Sequence, residues 1–191
     1  MADPSPEMDA AEVAERLAAA LDEQGQEYAL GGAIALGYWG EPRGTLDVDL
    51  TVFLPIEQPS QCIWLLQQIG CDVRAAEAIQ SFQEHGLCHA TFQRRRVDVF
   101  VPTLPFYESA RQRRRRVQLG THAVMIWDAE SLCVFKMMFF RRKDIADVEQ
   151  ILRIQGANLD RAWVRQQLQQ IFCAYDPRLS QWDELDRELR T

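Results

Sequence analysis

Apolar residues recur along this chain at two different spacings, and the changes between them mark the elements. Val13, Leu17 and Leu21 fall at four-residue intervals behind Asp9, which suits a helix N-cap, and Gly25 closes the run, so the pattern predicts a helix over 9–25. Tyr28 to Leu30 reads as a short strand, Gly31-Gly32 as a turn, and Ala33 to Trp39 as a short buried helix stopped by Gly40 and Pro42. Thr45 to Leu54 reads as a strand closed by Pro55. Pro59 to Gly70 carries Ile63, Leu66 and Ile69 at helical spacing, with proline at its start and glycine at its end. Asp72 to Ala75 reads as a strand and Ala76 to Gly86 fits no single period. Leu87 to Phe92 and Val97 to Val101 read as a hairpin around Gln93 to Arg96.

Pro102 and Pro105 end that run, a basic stretch follows, and Ala123 to Trp127 is again strand-like. Asp128 suits the N-cap of a long helix containing Leu132, Phe135, Met138 and Phe139. Two readings stay open beyond it. In one continuous helix, Lys136, Phe140, Lys143 and Asp147 follow the 0, 4, 7, 11 pattern of a single face. Alternatively a new helix starts at Lys143-Asp144 and runs through Ile145, Val148, Ile151 and Leu152 to Gly156, with Asp144 as an N-cap rather than a catalytic group. An amphipathic helix from Leu159 to Tyr175 and a short acidic helix beyond Pro177 complete the chain. This order predicts an α/β (α+β) fold, a mixed β-sheet backed by helices with a helical C-terminal part. As domains, it reads as an α/β core over 1–127 and a helical part over 128–191 packed on it as one unit.

Composition sharpens this picture in three respects. The 191 residues are 47% hydrophobic, enough for one domain with a real core. No apolar run approaches the roughly 18 residues of a membrane span, and the first residues are acidic rather than basic then apolar, so a cytoplasmic protein without a membrane partner is expected. Cys62, Cys71, Cys88, Cys133 and Cys173 lack paired spacing and mostly sit beside apolar neighbours, which favours reduced, buried thiols. His85, Cys88 and His89 are three soft ligands in a short apolar stretch without a fourth, a poor zinc site. Trp64, Trp127 and Trp163 lie in apolar stripes and read as core.

The net charge of −7 argues against a general nucleic-acid binder. Its distribution is uneven, because 11 of the 21 basic residues fall in three clusters, Arg94 to Arg96, Arg111 with Arg113 to Arg116, and Arg141 to Lys143. Such runs are most often solvated loops; the alternative is contact with RNA or phosphate.

The acids carry the strongest chemical signal. Asp47 and Asp49 flank Val48 in an otherwise apolar run, and on a strand they project from one face about 6.5–7 Å apart. Two such carboxylates repel unless a proton or a cation lies between them, and a hard divalent ion takes oxygen ligands of this kind. Asp98 is a lone acid between Val97 and Val99, and burying an unpaired carboxylate is costly. Were its strand beside the first, the three acids would suit in-line phosphoryl displacement, with Asp98 as base for the attacking hydroxyl. Gly31-Gly32, between a strand and a helix, leaves backbone N–H groups free to cradle phosphate. Arg43 and Thr45 lie just upstream of the pair.

The run GGAIALGYWGEPRGTLDVDL resembles the first motif of the DNA polymerase β-like nucleotidyltransferase superfamily. Within it, the pattern of a Gly-Gly turn followed by R-x-T-x-D-x-D-L is similar to the minimal and abortive-infection (AbiEii-type) toxin branch, filled here by Arg43, Thr45, Asp47, Asp49 and Leu50. Asp98 fits the family's third carboxylate, and KMMFFRRKDIADV resembles its downstream Lys then (Arg/Lys)-Asp-x-x-Asp element, the likeness covering Tyr28 to Leu152. Many superfamily members carry Gly-Ser where this chain has Gly31-Gly32, which moves any hydroxyl contact elsewhere, Thr45 included.

The resemblance implies Mg²⁺-dependent transfer of an NMP group from a nucleoside triphosphate to a tRNA 3′ end or a protein hydroxyl. Asp47, Asp49 and Asp98 would be catalytic and hold metal. Gly31, Gly32, Arg43, Thr45, Lys136 and Lys143 would bind the nucleotide. It also implies a toxin–antitoxin setting with a cognate antitoxin; the basic clusters Arg94–Arg96 and Arg111–Arg116, by their charge, are the candidate tRNA contacts. The rival reading is a catalytically silent module of the same fold acting as an interaction or antitoxin-like protein. A metal-dependent nuclease is disfavoured by the Gly-Gly cradle.

Overall fold

The structure, a computed structural model, describes residues 8–190. Helix α1 (Ala10–Glu23) starts at Asp9 through a reciprocal cap: the Glu12 N–H donates to Asp9 (2.8 Å) and the Asp9 N–H to Glu12 (2.9 Å). Its buried stripe includes Val13, Leu17 and Leu21, and it packs against β1 (Tyr28–Leu30), β2 (Asp47–Val52) and β6 (His122–Ile126). Between β1 and β2 lies α2 (Gly32–Trp39). Helices α3 (Pro59–Gln68) and α4 (Ala75–His85) follow β2, then the hairpin β3 (Leu87–Phe92) and β4 (Arg95–Phe100). Next come α5 (Phe106–Arg113) and β5 (Arg115–Leu119), which pairs with β6. The chain ends in α6 (Ala129–Phe139), α7 (Arg142–Gln155), α8 (Arg161–Ile171) and α9 (Pro177–Glu188).

The six strands form one sheet in the order β3-β4-β2-β1-β6-β5. β1 runs antiparallel to β2 and parallel to β6, β2 runs parallel to β4, and the two outer pairs are antiparallel. This is the mixed sheet backed by helices that the element order predicts. One continuous apolar core runs from Val13 and Leu17 through Val48, Leu50 and Val99 to Leu168 and Trp182. None of the described helices is long and apolar enough to cross a membrane.

Several local expectations change. Asp72 to Ala75 contributes a single bridge from Asp72 to Thr91 instead of a strand, because the chain turns into α4 at once. The ambiguous 76–86 stretch is that helix, ended by Gly86 in the left-handed region. The β3–β4 turn is two residues, Gln93 and Arg94, both with positive φ (47° and 69°), so β4 begins two residues earlier than the apolar pattern shows. The basic stretch contains α5 and the edge strand β5, whose arginines conceal any alternation. Trp64 is 56% exposed instead of core, while Trp127 is buried. Cys62, Cys71, Cys88 and Cys133 are buried free thiols and Cys173 is exposed. Cys88 points into the core while His89, next along β3, is exposed, so the HGLCH residues do not converge.

The break between α6 and α7 decides between the two readings of that region. Phe140 ends α6 in the left-handed conformation (φ 56°), and Arg141 is extended before α7 begins at Arg142. Asp144 accepts the Arg141 backbone N–H (3.1 Å), so it caps the new helix from its third position and not as the N-cap itself.

Candidate active site

Strand alternation builds the site. Val48 and Leu50 are fully buried, while Asp47, Asp49 and Thr51 line a cleft of about 260 Å³ on the other face of β2. The parallel neighbour β4 sets Asp98 directly opposite Asp49, and Arg96 opposite Asp47. β3 sets His89 opposite Asp98, so His89, Asp98 and Asp49 form one row across three strands. The Gly31 N–H donates to the Asp49 carbonyl (2.9 Å), fixing the turn after β1 to β2. Gly32 has φ +51°, and a Cβ there would lie 1.7 Å from Asp49 Oδ2. The Gly-Gly pair is thus required by a carboxylate lying directly against the turn.

The three acids differ in their surroundings. Thr45 Oγ1 donates to Asp47 Oδ1, and this bond holds Asp47 below the usual carboxylate range. Asp49 is pushed up to about 6, first by burial and then by the charges of Asp47 and Asp98. Asp98 Oδ1 accepts from Arg96 Nε (2.6 Å) and pairs with His89 Nδ1 (2.8 Å), its side chain only 16% exposed.

As a donor set, Asp47 and Asp49 suit a hard divalent cation, because both are oxygen ligands on one face and the charges of Lys136 and Lys143 do not offset the burial and the neighbouring acids that raise Asp49. Among the described residues no three His, Cys, Asp or Glu side chains gather as a ready ligand cluster. Both of the Asp98 bonds, from Arg96 and to His89, fall on Oδ1, so Oδ2 is the oxygen it would bring to such a set.

A basic wall faces the acids. Lys136 of α6, 5% exposed, sets Nζ 2.6 Å from Asp147 Oδ2 of α7 and 4.0 Å from Asp144. Arg43, from the loop before β2, makes a two-pronged bond to the same Asp147 (3.2 and 3.1 Å). Burial raises the Asp147 carboxyl, and the bonds from Arg43 and Lys136 outweigh it, leaving Asp147 below its usual range. Lys143 is exposed on α7, lines the cleft, and its charge lowers both Asp47 and Asp49. The two lysines therefore reach one cleft from separate helices. Asp147 was readable only as part of the downstream Asp-x-x-Asp element; its role as the shared partner of Arg43 and Lys136 depends on the helix break.

The remaining wall is aromatic. Trp127 and Phe135 pack at 4.9 Å and Tyr107 and Phe135 at 5.1 Å, all lining the cleft. Nearer the mouth, Phe100 meets Phe139 edge-on at 6.0 Å. These side chains give no signal in the sequence beyond apolar residues of strand and helix.

The second arginine cluster is largely committed within the fold. Arg111 pairs with Glu27 and Glu108, Arg113 with the buried Asp128 and Glu130, and Arg114 with Glu27 and the Tyr28 carbonyl. Arg115 and Arg116 on β5 are exposed. In the first cluster, Arg94 and Arg96 are exposed while Arg95 donates to the Met8 carbonyl (2.8 Å).

No protein-family model and no curated protein sequence matches the chain. Solved structures do. The solution structure of the antibiotic-resistance factor ANT(2'')-Ia aligns with a TM-score of 0.55 at 14% identity, over 96% of this chain and 93% of that one. The crystal structure of ANT(2'')-Ia in complex with adenylyl-2''-tobramycin aligns at 0.54 and 13% identity, over 94% and 96%. A nucleotidyltransferase-like protein from Paracoccidioides brasiliensis is more distant, at 0.46 and 16% over 90% and 92%. The likeness is one of architecture, and the chain has the nucleotidyltransferase-like fold.

Proposed function

We propose that this protein is a nucleotidyltransferase that moves an NMP group from a nucleoside triphosphate to a hydroxyl acceptor, with Mg²⁺ as cofactor. The observation that carries the reading is the facing of Asp49 and Asp98 on adjacent parallel strands, with Asp47 beside them and a glycine turn pressed against Asp49. A fold neighbour seen with an adenylylated molecule, adenylyl-2''-tobramycin, is consistent with it.

In this mechanism Asp47 and Asp49 would hold the ion, which when bound supplies positive charge between the carboxylates and the triphosphate. The backbone N–H at Gly32, with Arg43, Lys143 and Lys136, binds and orients the phosphates, while the Gly31 N–H, committed to the Asp49 carbonyl, holds the turn and not a phosphate as the sequence suggests; Thr45 holds Asp47 in place. The acceptor oxygen forms a bond to the α-phosphorus, the bond from that phosphorus to the bridging oxygen breaks, and pyrophosphate leaves. Asp98 takes the acceptor's proton. Positioning and electrostatics supply the rate.

The acceptor is an RNA 3′ end or a protein hydroxyl, and the resemblance of the Gly-Gly and R-x-T-x-D-x-D-L run to the abortive-infection branch supports a toxin paired with an antitoxin. Incubation with each nucleoside triphosphate labelled at the α-phosphate, Mg²⁺, and either total RNA or cell protein tests the reading. Label is expected in one acceptor class and absent with Asp47→Ala/Asp49→Ala.

A second reading, a silent interaction module of this fold, is favoured by one observation: Arg43 and Lys136 close on Asp147, and Arg96 closes on Asp98. Failure of a folded protein to bind any nucleoside triphosphate in Mg²⁺ would select it.

A further inference from the structure

Beyond Asp49 the cleft changes character. One strand step further along β2, about 6.6 Å, Thr51 takes the place of the acids, and Tyr107 of α5, Trp127 after β6, and Leu132 and Phe135 of α6 line the cleft with it. Three of these residues carry polar atoms that the fold leaves unused. Among the described residues, Thr51 Oγ1, Tyr107 Oη and Trp127 Nε1 have no hydrogen-bond partner, although their residues are only 4%, 6% and 3% exposed. A buried tyrosine hydroxyl or indole N–H ordinarily finds one. None of the three atoms is sealed in the interior, so the opening they share is the cleft. Trp127 is held in place: Trp39 Nε1 donates to its carbonyl (2.7 Å), and a Cβ on Gly31 would lie 3.2 Å from its Cδ1. Burial pushes the Tyr107 hydroxyl up to about 12, so it keeps its proton and donates at neutral pH.

As hydrogen-bonding groups the three are one obligate donor, the indole, and two hydroxyls that either donate or accept. The pairing edge of uracil presents two carbonyl oxygens flanking one N–H, and two donors with one acceptor satisfy it completely. Cytosine brings an amino group with two N–H bonds to place, and either purine carries more polar groups than three partners can meet. Each group left over would be buried without a partner, which is how a pocket of this kind rejects the wrong ligand. We infer that the inner end of the cleft is the base pocket of the nucleoside triphosphate and that it selects uracil. The indole and one hydroxyl donate to the carbonyls, the other hydroxyl accepts the ring N–H, and the apolar edge and faces of the ring meet Leu132 and Phe135. Asp98 on β4 lies to one side of Asp49, and Trp127, at the end of β6, to the other, so a base seated here leaves the β4 side clear for the acceptor. This inference rests on the transferase reading for the presence of a nucleotide, but base selection is measurable without transfer.

Calorimetry with UTP, CTP, ATP and GTP in Mg²⁺, without acceptor, tests it. UTP should bind about tenfold or more tighter than the other three. Tyr107→Phe keeps the ring and removes only the hydroxyl, and Thr51→Val keeps the shape of its side chain; each should weaken UTP about tenfold and leave the other three nearly unchanged, so that the preference collapses. Thermal melting establishes that both variants fold. In the transfer assay, α-labelled UTP should label the acceptor and the other triphosphates should do so far less. Equal binding of all four, a preference for another base, or a UTP preference that survives in both variants overturns the inference and leaves the transferase reading intact. UTP-selective binding that Tyr107→Phe abolishes, with no transfer to any acceptor, would retain the base pocket and overturn the transferase. Failure to bind any of the four would overturn both.

Discussion

At Asp49, burial and the neighbouring carboxylates act in one direction and lift the group from 3.8 to about 6. The folded chain holds this proton more tightly than the unfolded chain, so without metal the protein gains stability as pH falls from 7.5 through 6 toward 4, by on the order of 2–3 kcal/mol from this group. Asp47 works oppositely: its carboxyl is lowered, and its contribution is present above the ordinary carboxylate range and lost as pH falls through it. Thermal melts from pH 7.5 to 5 should therefore show a rise in Tm that Asp49→Asn removes. Mg²⁺ should raise Tm at pH 7.5 and do so less below pH 6, where the proton competes; an equal Mg²⁺ effect at pH 5 would contradict this. Gly32 is the other sensitive position. Gly32→Ala forces a side chain against Asp49 at a positive φ, and should abolish nucleotide binding by calorimetry, with a stability cost of about 1–2 kcal/mol from the left-handed backbone to which the overlap with Asp49 adds.

The helix break at Phe140 shows how an element can defeat a pattern yet preserve its result. The regular spacing of Lys136, Phe140, Lys143 and Asp147 describes one face of a continuous helix, and the chain instead bends at a bulky residue in a left-handed conformation. Nothing local in Phe140 signals this, because glycine or asparagine would be the ordinary choice. Lys136 and Asp147 nevertheless meet, across two helices, as a pair 5% and 4% exposed. Removing one partner strands the other in the interior, so Asp147→Ala should cost about 3–5 kcal/mol, seen as a Tm drop of roughly 6–20 °C. Lys136→Met/Asp147→Leu should recover most of it, since Arg43 can turn to solvent. The same limit hid β5: an arginine-rich edge strand lacks the apolar alternation by which strands are read, whereas β2 and β4 were legible because lone acids interrupt otherwise apolar runs.

Across the whole molecule, the acidic balance and the basic clusters resolve into internal pairing on one side and an open cleft on the other. Arg113 is tied to Asp128 and Glu130, joining α5 to the start of α6, so charge reversal there would unfold the protein before it tested RNA contact. The carboxylates and the glycine turn were visible in the sequence because their chemistry conflicts with an apolar strand. The aromatic wall and the partners of Asp98 were not, since they depend on which strands become neighbours. NMP transfer requires attack at the α-phosphorus, and parallel reactions with triphosphate labelled at the α- or the γ-phosphate measure that directly. Such transfer puts α-label in the acceptor and γ-label in released pyrophosphate, and does neither with Asp47→Ala/Asp49→Ala. Transfer of γ-label to the acceptor, or α-label remaining in free nucleotide with every acceptor, would contradict it.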